Sequence, residues 1–388
     1  MSARGDVPSG YRAMDPDSVA VFAAPYLGEE DAEAQEIGDG NLNMVFRVQA
    51  GTRSVIVKQA LPYLRVVGEG WPLTLDRARI EAEAMAIHAE LAPSCGPRML
   101  HLEPVAAAIV MEDLHEHVVW RTALVSGRHV SGVAACLGRY CARVLLGTSR
   151  LLMPDEQRRP LLGRFENPEL SAITEDLVFT SPYVDADTNR IDQAGENLAA
   201  ELRADAGLRS AAAQLRWEFR TRTESLLHGD LHTGSVMVRD GDARVIDVEF
   251  ATFGPMAYDS GNVVANLALA RIAASARGEL ELAAMLDADA QDFWSALIDE
   301  AGFLWPSTEP WLDHFLESLR RDTARYASTE LLRRLVGLAH VADIDTLPDG
   351  VRLTAQTAVV AAARRLCTTP DVPAFADLWA MAAQEESP

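Results

Sequence analysis

The amino-acid sequence predicts an α+β protein with two lobes, a small antiparallel-sheet lobe followed by a large, mostly helical lobe. Short β-type runs fill residues 35–59, whereas helical patterns rich in Ala, Leu and Arg dominate after about His115. A length of 388 residues is also too great for one simple core. We therefore expect an N-terminal lobe over residues 1–113 and a C-terminal lobe over residues 114–388.

A β-hairpin and a helix are expected in the N-terminal lobe. The runs "MVFRVQA" and "SVIVKQA" alternate apolar and polar residues on either side of Gly51, a pattern typical of two antiparallel strands. The stretch "LTLDRARIEAEAMAIHAEL" places apolar residues at helical spacing and predicts a helix. The strand-like "AAAIVMEDL" closes this lobe.

The C-terminal lobe is expected to be helical, with one pair of strands in its middle. "SVMV" and "ARVIDVEF" read as two strands joined by a tight turn at "RDGD". Long helical patterns cover residues 282–299 and 320–342.

Composition excludes some classes of partner. The chain carries 57 acidic and 35 basic residues, for a formal net charge of -22. This balance argues against nucleic acid and anionic membrane surfaces as partners, because binding phosphates requires Lys and Arg. An anionic substrate would need a local basic cluster that opposes the overall charge.

The cysteines and the hydropathy pattern predict a cytoplasmic protein. Cys95, Cys136, Cys141 and Cys367 match neither a zinc-site spacing nor a disulfide framework, and we expect reduced thiols. No segment contains the roughly 18 uncharged apolar residues that a membrane span requires.

The segment "LLHGDLHTGSVMV", residues 226–238, places polar residues between two apolar runs and admits two interpretations. His228 and His232 are four residues apart, a spacing that holds zinc when both histidines lie on one helix. However, Gly229 follows the first histidine, no Glu lies between the two, and "SVMV" continues as a strand. A His–His metal site is therefore disfavoured.

The second interpretation is a catalytic loop. The tight turn between the two strands brings their outer ends together. The polar side chains expected to converge there are Asp230, Ser235, Asp247 and Glu249. Converging carboxylates repel one another unless cations lie between them, and oxygen ligands suit Mg²⁺ held together with substrate phosphates. Asp247 and Glu249 are then the expected metal ligands, while Asp230 orients an attacking hydroxyl, as in phosphoryl transfer.

Several motifs, in order along the chain, resemble the protein-kinase-like fold of the aminoglycoside phosphotransferases and choline kinases. "HGDLHTGSVMV" and "VIDVEFATFGPMAYD" carry this resemblance most strongly. "GDGNLNMVFRV", "VIVKQALPYLRVVGEGWPLTLDR", "MEDL" and "LLRRLVGLAHVADI" extend it across residues 38–345. Ser235 stands where this superfamily usually has Asn, and Val248 stands where relatives often carry Pro. The resemblance implies an ATP- and Mg²⁺-dependent kinase with a small-molecule sugar substrate, and relatives form homodimers.

The resemblance also assigns residues to ATP. "GDGNLN", residues 38–43, corresponds to the loop over the nucleotide, and "MEDL" to the segment that meets adenine. Trp71 either covers the nucleotide or anchors its own loop. The expected ATP-binding residues are Asn41, Asn43, Lys58, Met111, Glu112 and Leu114.

Lys58 ends a strand of Val and Ile, so its ammonium can reach phosphate oxygens. Either Glu81 or Glu83 on the following helix could pair with it, and we favour Glu83. The alternative for Lys58 is a solvated strand end.

Arg333 and Arg334 supply the local positive charge that the acidic composition demands. Adjacent helical residues point about 100° apart, so at most one of the two is expected to share the buried stripe fully. The usual place for such a pair is a solvated helix face, but the resemblance assigns both arginines to the substrate and the transferring phosphate, together with Asp230. Arg364 and Arg365 form a competing pair, and His340, Trp120 and Arg121 are expected to be structural.

The sequence supports other functions less well. A sister kinase for a choline-type alcohol or an aminoglycoside would need an acidic or aromatic pocket for its cation, whereas the double Arg favours a neutral sugar. A related kinase for a 5-deoxy or 5-alkylthio pentose stays an alternative, because "MAYDSG" varies from the family's usual aromatic choice near the sugar side. A protein kinase is disfavoured because an "APE" signature is missing. A non-catalytic binding protein would be expected to have lost Lys58, Asp230 or Asp247.

Overall fold

A computed structural model describes residues 7–29, 31–37, 42–65, 67–191, 195–368 and 375–383 of the chain. The chain separates into two compact units. The first unit combines Met1–Glu116 with the short segment Ile246–Ala251, and the second combines His117–Val245 with Thr252–Pro388. The segment Ile246–Ala251, which carries Asp247 and Glu249, therefore belongs to the first unit although both of its flanks belong to the second.

The first unit is built on a five-stranded antiparallel sheet in the order β1-β2-β3-β7-β6. Its central hairpin turns at Gly51, whose φ of 55° is in the left-handed region that favours glycine. The hairpin pairs Val45 with Lys58 and Phe46 with Val57, so the predicted antiparallel hairpin is confirmed. The strands are β1 Glu33–Glu36, β2 Asn43–Ala50, β3 Arg53–Ala60, β4 Tyr63–Leu64, β5 Gly68–Pro72, β6 Met99–Glu103 and β7 Ala108–Glu112.

Two helices accompany this sheet. Helix α1, Pro16–Leu27, buries Val19, Ala23 and Leu27 against apolar side chains of β2, β3 and β7. Helix α2, Arg77–Leu91, packs Ala82 against Ile109 and Met111 of β7. The predicted helix is confirmed, but it begins at Arg77 rather than at Leu73. The backbone N–H of Leu73 donates to the Pro62 carbonyl and so lies outside the helix.

The second unit is mostly helical. Helices α4 and α10 pack together, as do α9 and α11, and α9 is buried along most of its length. The helices are α3 Trp120–Val125, α4 Val133–Gly147, α5 Asp155–Arg164, α6 Pro168–Phe179, α7 Glu196–Ala204, α8 Ala206–Thr221, α9 Ala257–Ala276, α10 Leu280–Leu304, α11 Leu312–Val336, α12 Ala342–Asp345, α13 Asp349–Thr368 and α14 Phe375–Ala383.

Short strands in the second unit frame the loop that contains Asp230. Strand β10 pairs with β11 and with β8, and the β10–β11 turn at Asp240 and Gly241 is the tight turn that the sequence predicts. Strand β9 pairs with β12. The strands are β8 Val118–Val119, β9 Ser225–Leu226, β10 Val236–Arg239, β11 Asp242–Val245 and β12 Phe253–Gly254.

The helix predicted over residues 320–342 ends earlier than expected. Helix α11 stops at Val336, and Gly337 leaves the helix with extended backbone. A Cβ at Gly337 would lie 2.5 Å from the Arg333 carbonyl oxygen, so only glycine fits this exit. The carbonyl of Ala339, outside the helix, accepts a hydrogen bond from Arg334.

None of the four cysteines forms a disulfide, in agreement with the sequence. Among the described residues, no helix has both the length and the apolar character needed to cross a bilayer.

Candidate active site

Residues 228–235 form a loop between β9 and β10 that ends in a short 3₁₀ helix, Thr233–Ser235, and a buried carboxylate fixes the backbone of the loop. Asp259, from the "MAYD" motif at the start of α9, accepts hydrogen bonds from the backbone N–H groups of His228 (2.7 Å) and Gly229 (3.0 Å). Gly229 has a φ of 86°, which glycine adopts readily. The residue that follows, Asp230, is thereby presented on an anchored backbone.

The Asp230 carboxylate is surrounded by donors. Arg333 Nη2 donates to Oδ1 over 2.6 Å, and Arg334 Nη2 lies 3.5 Å from the same oxygen. His232 Nε2 lies 3.3 Å from Oδ2. The backbone oxygen of Asp230 accepts from Ser235 Oγ at 3.0 Å, so Ser235 ties the loop together. A quarter of the Asp230 side chain remains exposed, which leaves it accessible to a substrate.

Asp230 is ionised and His232 is neutral at pH 7. Burial opposes ionisation of Asp230, but His232, Arg333 and Arg334 outweigh it and hold the pKa of this carboxyl well below its usual range. Burial lowers the pKa of His232 to about 4. The Nδ1 atom of His232 accepts the Gly234 N–H, so the proton of the neutral ring is assigned to Nε2, facing Asp230.

Arg333 and Arg334 are both buried, so the expectation that at most one could share the buried stripe is wrong. The reason is Glu330, one helical turn earlier, which is fully buried and accepts the Nε–H of each arginine. Paired charges can be buried where single ones cannot. Although burial alone would raise it, the two arginines lower the pKa of Glu330 to about 2.

Arg121 contacts the loop that contains Asp230, so its role goes beyond the structural one expected from the sequence. Its Nε donates to Thr233 Oγ1 over 3.0 Å, and its Nη2 donates to Asn266 Oδ1 over 2.7 Å. Asp343 lies 3.3 Å from its Nε. Burial and the neighbouring Arg334 lower the pKa of Arg121 to about 10, and it stays charged at pH 7.

In the first unit, Lys58 meets Glu81, and the preference for Glu83 is wrong. Lys58 Nζ donates to Glu81 Oε1 over 2.8 Å and also to Asp247 Oδ1. Glu83 instead pairs with Arg79 at 2.9 Å on the more exposed face of α2. Burial alone would lower the pKa of Lys58, but Asp247, Glu81 and Glu249 raise it above its ordinary value, so the ammonium is retained.

Glu249 is buried and held from two sides. Asn43 Nδ2 lies 2.9 Å from each of its carboxylate oxygens, and Arg77 Nε lies 3.3 Å from Oε2. Arg77, which sequence reasoning missed, also donates to the carbonyl groups of Leu42 and Leu61 and to Asn43 Oδ1. Asn43, predicted to lie near phosphate, therefore uses its side chain to orient Glu249 and Arg77.

Asp247 is the more accessible of the two predicted metal ligands. Its side chain is 48% exposed, and its φ of 69° is a left-handed conformation that Asp tolerates better than most residues. Within the described residues, no three His, Cys, Asp or Glu side chains group so that they could hold a metal ion by themselves. One or two protein carboxylates completed by phosphate oxygens fit Mg²⁺, and Asp247 with Glu249 provides such a donor set.

The remaining predicted ATP residues lie at the end of β7, except for one. Met111 and Leu114 are buried, and the backbone N–H of Glu112 donates to the Arg98 carbonyl. Asn41 lies outside the described residues. Trp71 lies half-buried on β5.

The competing arginine pair is structural. Arg364 contacts Asp205 and Glu201, and Arg365 donates to the Met381 carbonyl. His340 contacts Asp345, in agreement with its expected structural role.

Comparisons with known proteins identify the family of this chain. Residues 33–311 match the model of the phosphotransferase enzyme family. A methylthioribose kinase from Pectobacterium atrosepticum is 40% identical over 96% of this chain and 98% of its own length. Another from Citrobacter koseri is 40% identical over 88% of this chain and 90% of its own. A choline kinase structure from Cryptosporidium parvum Iowa II covers 94% of this chain and 99% of its own at 11% identity and a TM-score of 0.51, which shows the fold alone.

The chain therefore belongs to the phosphotransferase enzyme family and, within it, to the methylthioribose kinase family. The predicted α+β, protein-kinase-like fold and the predicted kinase class are confirmed.

Proposed function

We propose that this enzyme transfers the γ-phosphoryl group of ATP to the 1-hydroxyl of 5-methylthioribose, giving the 1-phosphate and ADP in methionine salvage. The observation that carries the proposal is the anchored, ionised Asp230 beside Arg333 and Arg334, in a chain 40% identical to proteins named methylthioribose kinase.

Asp230 orients the sugar hydroxyl. The hydroxyl oxygen forms a bond to the γ-phosphorus, the bond from that phosphorus to the β–γ bridging oxygen breaks, and the hydroxyl proton passes to Asp230. Because its pKa lies well below the usual range, Asp230 is a weak base that takes this proton late. This suits a loose transition state, in which the attacking oxygen stays protonated until bond formation is advanced. Arg333 and Arg334 offset charge on the transferred group.

The charges around Asp230 favour a neutral sugar over a cationic acceptor. Arg333 and Arg334 face the carboxylate, and Arg121 lies in the same network through Thr233. A choline-type or aminoglycoside cation would have to approach these guanidinium groups in a partly buried setting, where repulsion between like charges is strong.

The first unit supplies the nucleotide side of the reaction. Lys58, held by Glu81, contacts the phosphates of ATP. Asp247 and Glu249 hold Mg²⁺, which when bound neutralises phosphate charge and fixes the phosphate geometry. The other ATP contacts are Asn41, Asn43, Met111, Glu112 and Leu114.

The proposal extends to three further properties. Residues 1–113 form the nucleotide-binding lobe and residues 114–388 the catalytic lobe. The enzyme acts in the cytoplasm as a homodimer, and sedimentation velocity at micromolar concentration tests the oligomeric state.

The test is a coupled ADP-release assay with 5-methylthioribose, ribose, choline and an aminoglycoside as acceptors. Turnover should be fastest with 5-methylthioribose, and the ³¹P signal of its product should be coupled to the anomeric proton. Enzyme carrying Asp230→Asn controls for contaminating kinases. Faster turnover with choline or an aminoglycoside would reject the proposed substrate.

The metal assignment has its own test. Asp247→Asn keeps a residue that tolerates positive φ and removes the charge. It should weaken Mn²⁺ binding, followed by electron paramagnetic resonance in the presence of ADP, by about tenfold or more. Asp240→Asn, on an aspartate whose side chain is 93% exposed, is the matched control. Equal Mn²⁺ affinity in both variants would remove Asp247 from the metal site.

A further inference from the structure

Glu330 is fully buried, and its hydrogen bonds connect two helices of the second unit, α9 and α11. Its Oε2 accepts the Arg333 Nε–H, and its Oε1 accepts both the Arg334 Nε–H at 2.7 Å and the Asn266 amide at 3.1 Å. Each arginine is therefore held on the Nε side of its guanidinium. The Nη2 atom of each guanidinium lies toward Asp230, at 2.6 Å for Arg333 and 3.5 Å for Arg334.

The contacts of Glu330 form a ring that returns to the catalytic loop. Asn266 accepts a hydrogen bond from Arg121, and Arg121 donates to Thr233, three residues after Asp230. On the other side, Arg333 donates directly to Asp230. This ring reaches the loop at Thr233 and at Asp230, and Glu330 accepts hydrogen bonds from both branches, through Asn266 and through Arg333.

The charges explain why this position needs a carboxylate. Arg333 and Arg334 are adjacent and buried, and Asp230 alone supplies one negative charge for two positive ones. With Glu330 ionised, the two arginines face two carboxylates. Nη2 of Arg334 is a buried donor without a hydrogen-bond partner. It lies 3.5 Å from Asp230 Oδ1, within range of an ion pair. The other two nitrogens of this guanidinium do have partners, since Nε donates to Glu330 and Nη1 to the Ala339 carbonyl.

We propose that Glu330 is a positioning residue for phosphoryl transfer, which holds both guanidinium groups so that their Nη2 atoms face Asp230 and its substrate. This inference rests on the proposed kinase reaction for its catalytic consequence. The placement of the arginines is independent of the substrate and can be measured without it.

Two variants distinguish the effect of the Glu330 charge from the effect of its side-chain length. Glu330→Gln keeps the shape and removes the charge, whereas Glu330→Asp keeps the charge and shortens the side chain by one methylene. Both should lower kcat by about 10- to 100-fold, because displacing catalytic groups by about 1 Å has effects of this size. The KM for ATP should stay within about twofold, since the ATP contacts proposed above lie in other elements. Glu317→Gln, on an exposed residue of the same helix, is the matched control.

The arginine geometry is measured directly by ¹⁵N-arginine NMR. In the wild-type enzyme, the Nε–H protons of Arg333 and Arg334 should exchange slowly with solvent, with signals assigned through Arg333→Lys and Arg334→Lys. In Glu330→Gln, exchange at both sites should be faster by about tenfold or more, while Glu317→Gln should leave it unchanged.

Each outcome decides the proposal. Rapid Nε–H exchange in the wild-type enzyme overturns it even if neither Glu330 variant folds. A folded Glu330→Gln or Glu330→Asp enzyme with kcat within twofold of wild type also overturns it. Slow exchange in a protein that does not phosphorylate 5-methylthioribose would instead reject the substrate and leave the arginine geometry established.

Discussion

His232 Nε2 lies 3.3 Å from Asp230 Oδ2, and the same imidazole accepts the Gly234 N–H at Nδ1. The imidazole is buried and neutral, with its pKa lowered to about 4 from an ordinary 6.5. A neutral donor can hold the second oxygen of Asp230 without adding another positive charge to a site that already contains Arg333 and Arg334.

This relationship predicts a pH-dependent loss of stability. Between pH 6.5 and about 4, the unfolded chain binds a proton at His232 that the folded chain excludes, so the free energy of unfolding falls as pH falls. The full effect is at most about 3 kcal/mol. Urea unfolding of wild type and His232→Gln should show a stability difference that shifts against the wild type from pH 7 to 4.5. His314→Gln, at an exposed histidine, is the control, and a difference that is constant with pH would contradict the prediction.

Asp230→Asn should lower kcat by about 10²- to 10⁴-fold, because the hydroxyl loses both its orienting charge and its proton acceptor. ADP binding, measured by calorimetry, should persist, since the proposed nucleotide contacts involve other residues. Asp240→Asn, at a surface turn, should leave both quantities unchanged. More than a tenth of wild-type activity in Asp230→Asn would mean that another group orients the hydroxyl.

Glu81→Gln should raise the KM for ATP by about tenfold, because Lys58 loses a charged hydrogen-bond acceptor that fixes its ammonium. Glu83→Gln is a closely matched control on the same helix, and it removes only a partly exposed pair with Arg79, worth about 0.5 kcal/mol. Steady-state kinetics with varied ATP compare the two variants. Equal KM values would show that the Glu81 contact does not matter for nucleotide binding.

Gly234→Ala should damage the loop. A Cβ at this position would lie 2.9 Å from Arg121 Nη1 and 2.9 Å from His232 Cε1, so these side chains must move. Overpacking of this kind costs about 1–3 kcal/mol. Thermal unfolding should occur at lower temperature, and kcat should fall. Gly163→Ala is the control, because a Cβ at this position in helix α5 would have nothing within 4 Å, and it should be neutral or stabilising. A Gly234→Ala enzyme as stable and active as this control would show that the loop has room to adjust.

The strands near the site could be predicted because their signals are local. "MVFRVQA" and "SVIVKQA" alternate around Gly51, and their pairing follows from the turn. The face of α2 could not be predicted from its sequence. Glu81 and Glu83 both lie among alanines, so the pattern around them does not distinguish a buried face from a solvated one.

In the second unit, prediction from the sequence is limited for a different reason. Arg333 and Arg334 looked like solvated residues because charged side chains are rarely buried, and their burial depends on Glu330 and on Asp230 far away in sequence. The spacing E-x-x-R-R was a usable signal for Glu330, since residues three and four apart share a helix face. Asn266, a polar residue in the apolar run of α9, was a second signal. Arg121 had no local signal at all.

The discontinuous make-up of the first unit has a consequence for dissecting the enzyme. A fragment that ends at Glu116 would keep Lys58 and Arg77 but lose Ile246–Ala251, and with it the carboxylates of Asp247 and Glu249 that accompany these cations. Arg77 would then be a buried charge without the Glu249 carboxylate that lies beside it. We expect such a fragment to misfold or aggregate. Genetic swaps between homologues must therefore exchange the six-residue insert and the N-terminal portion together.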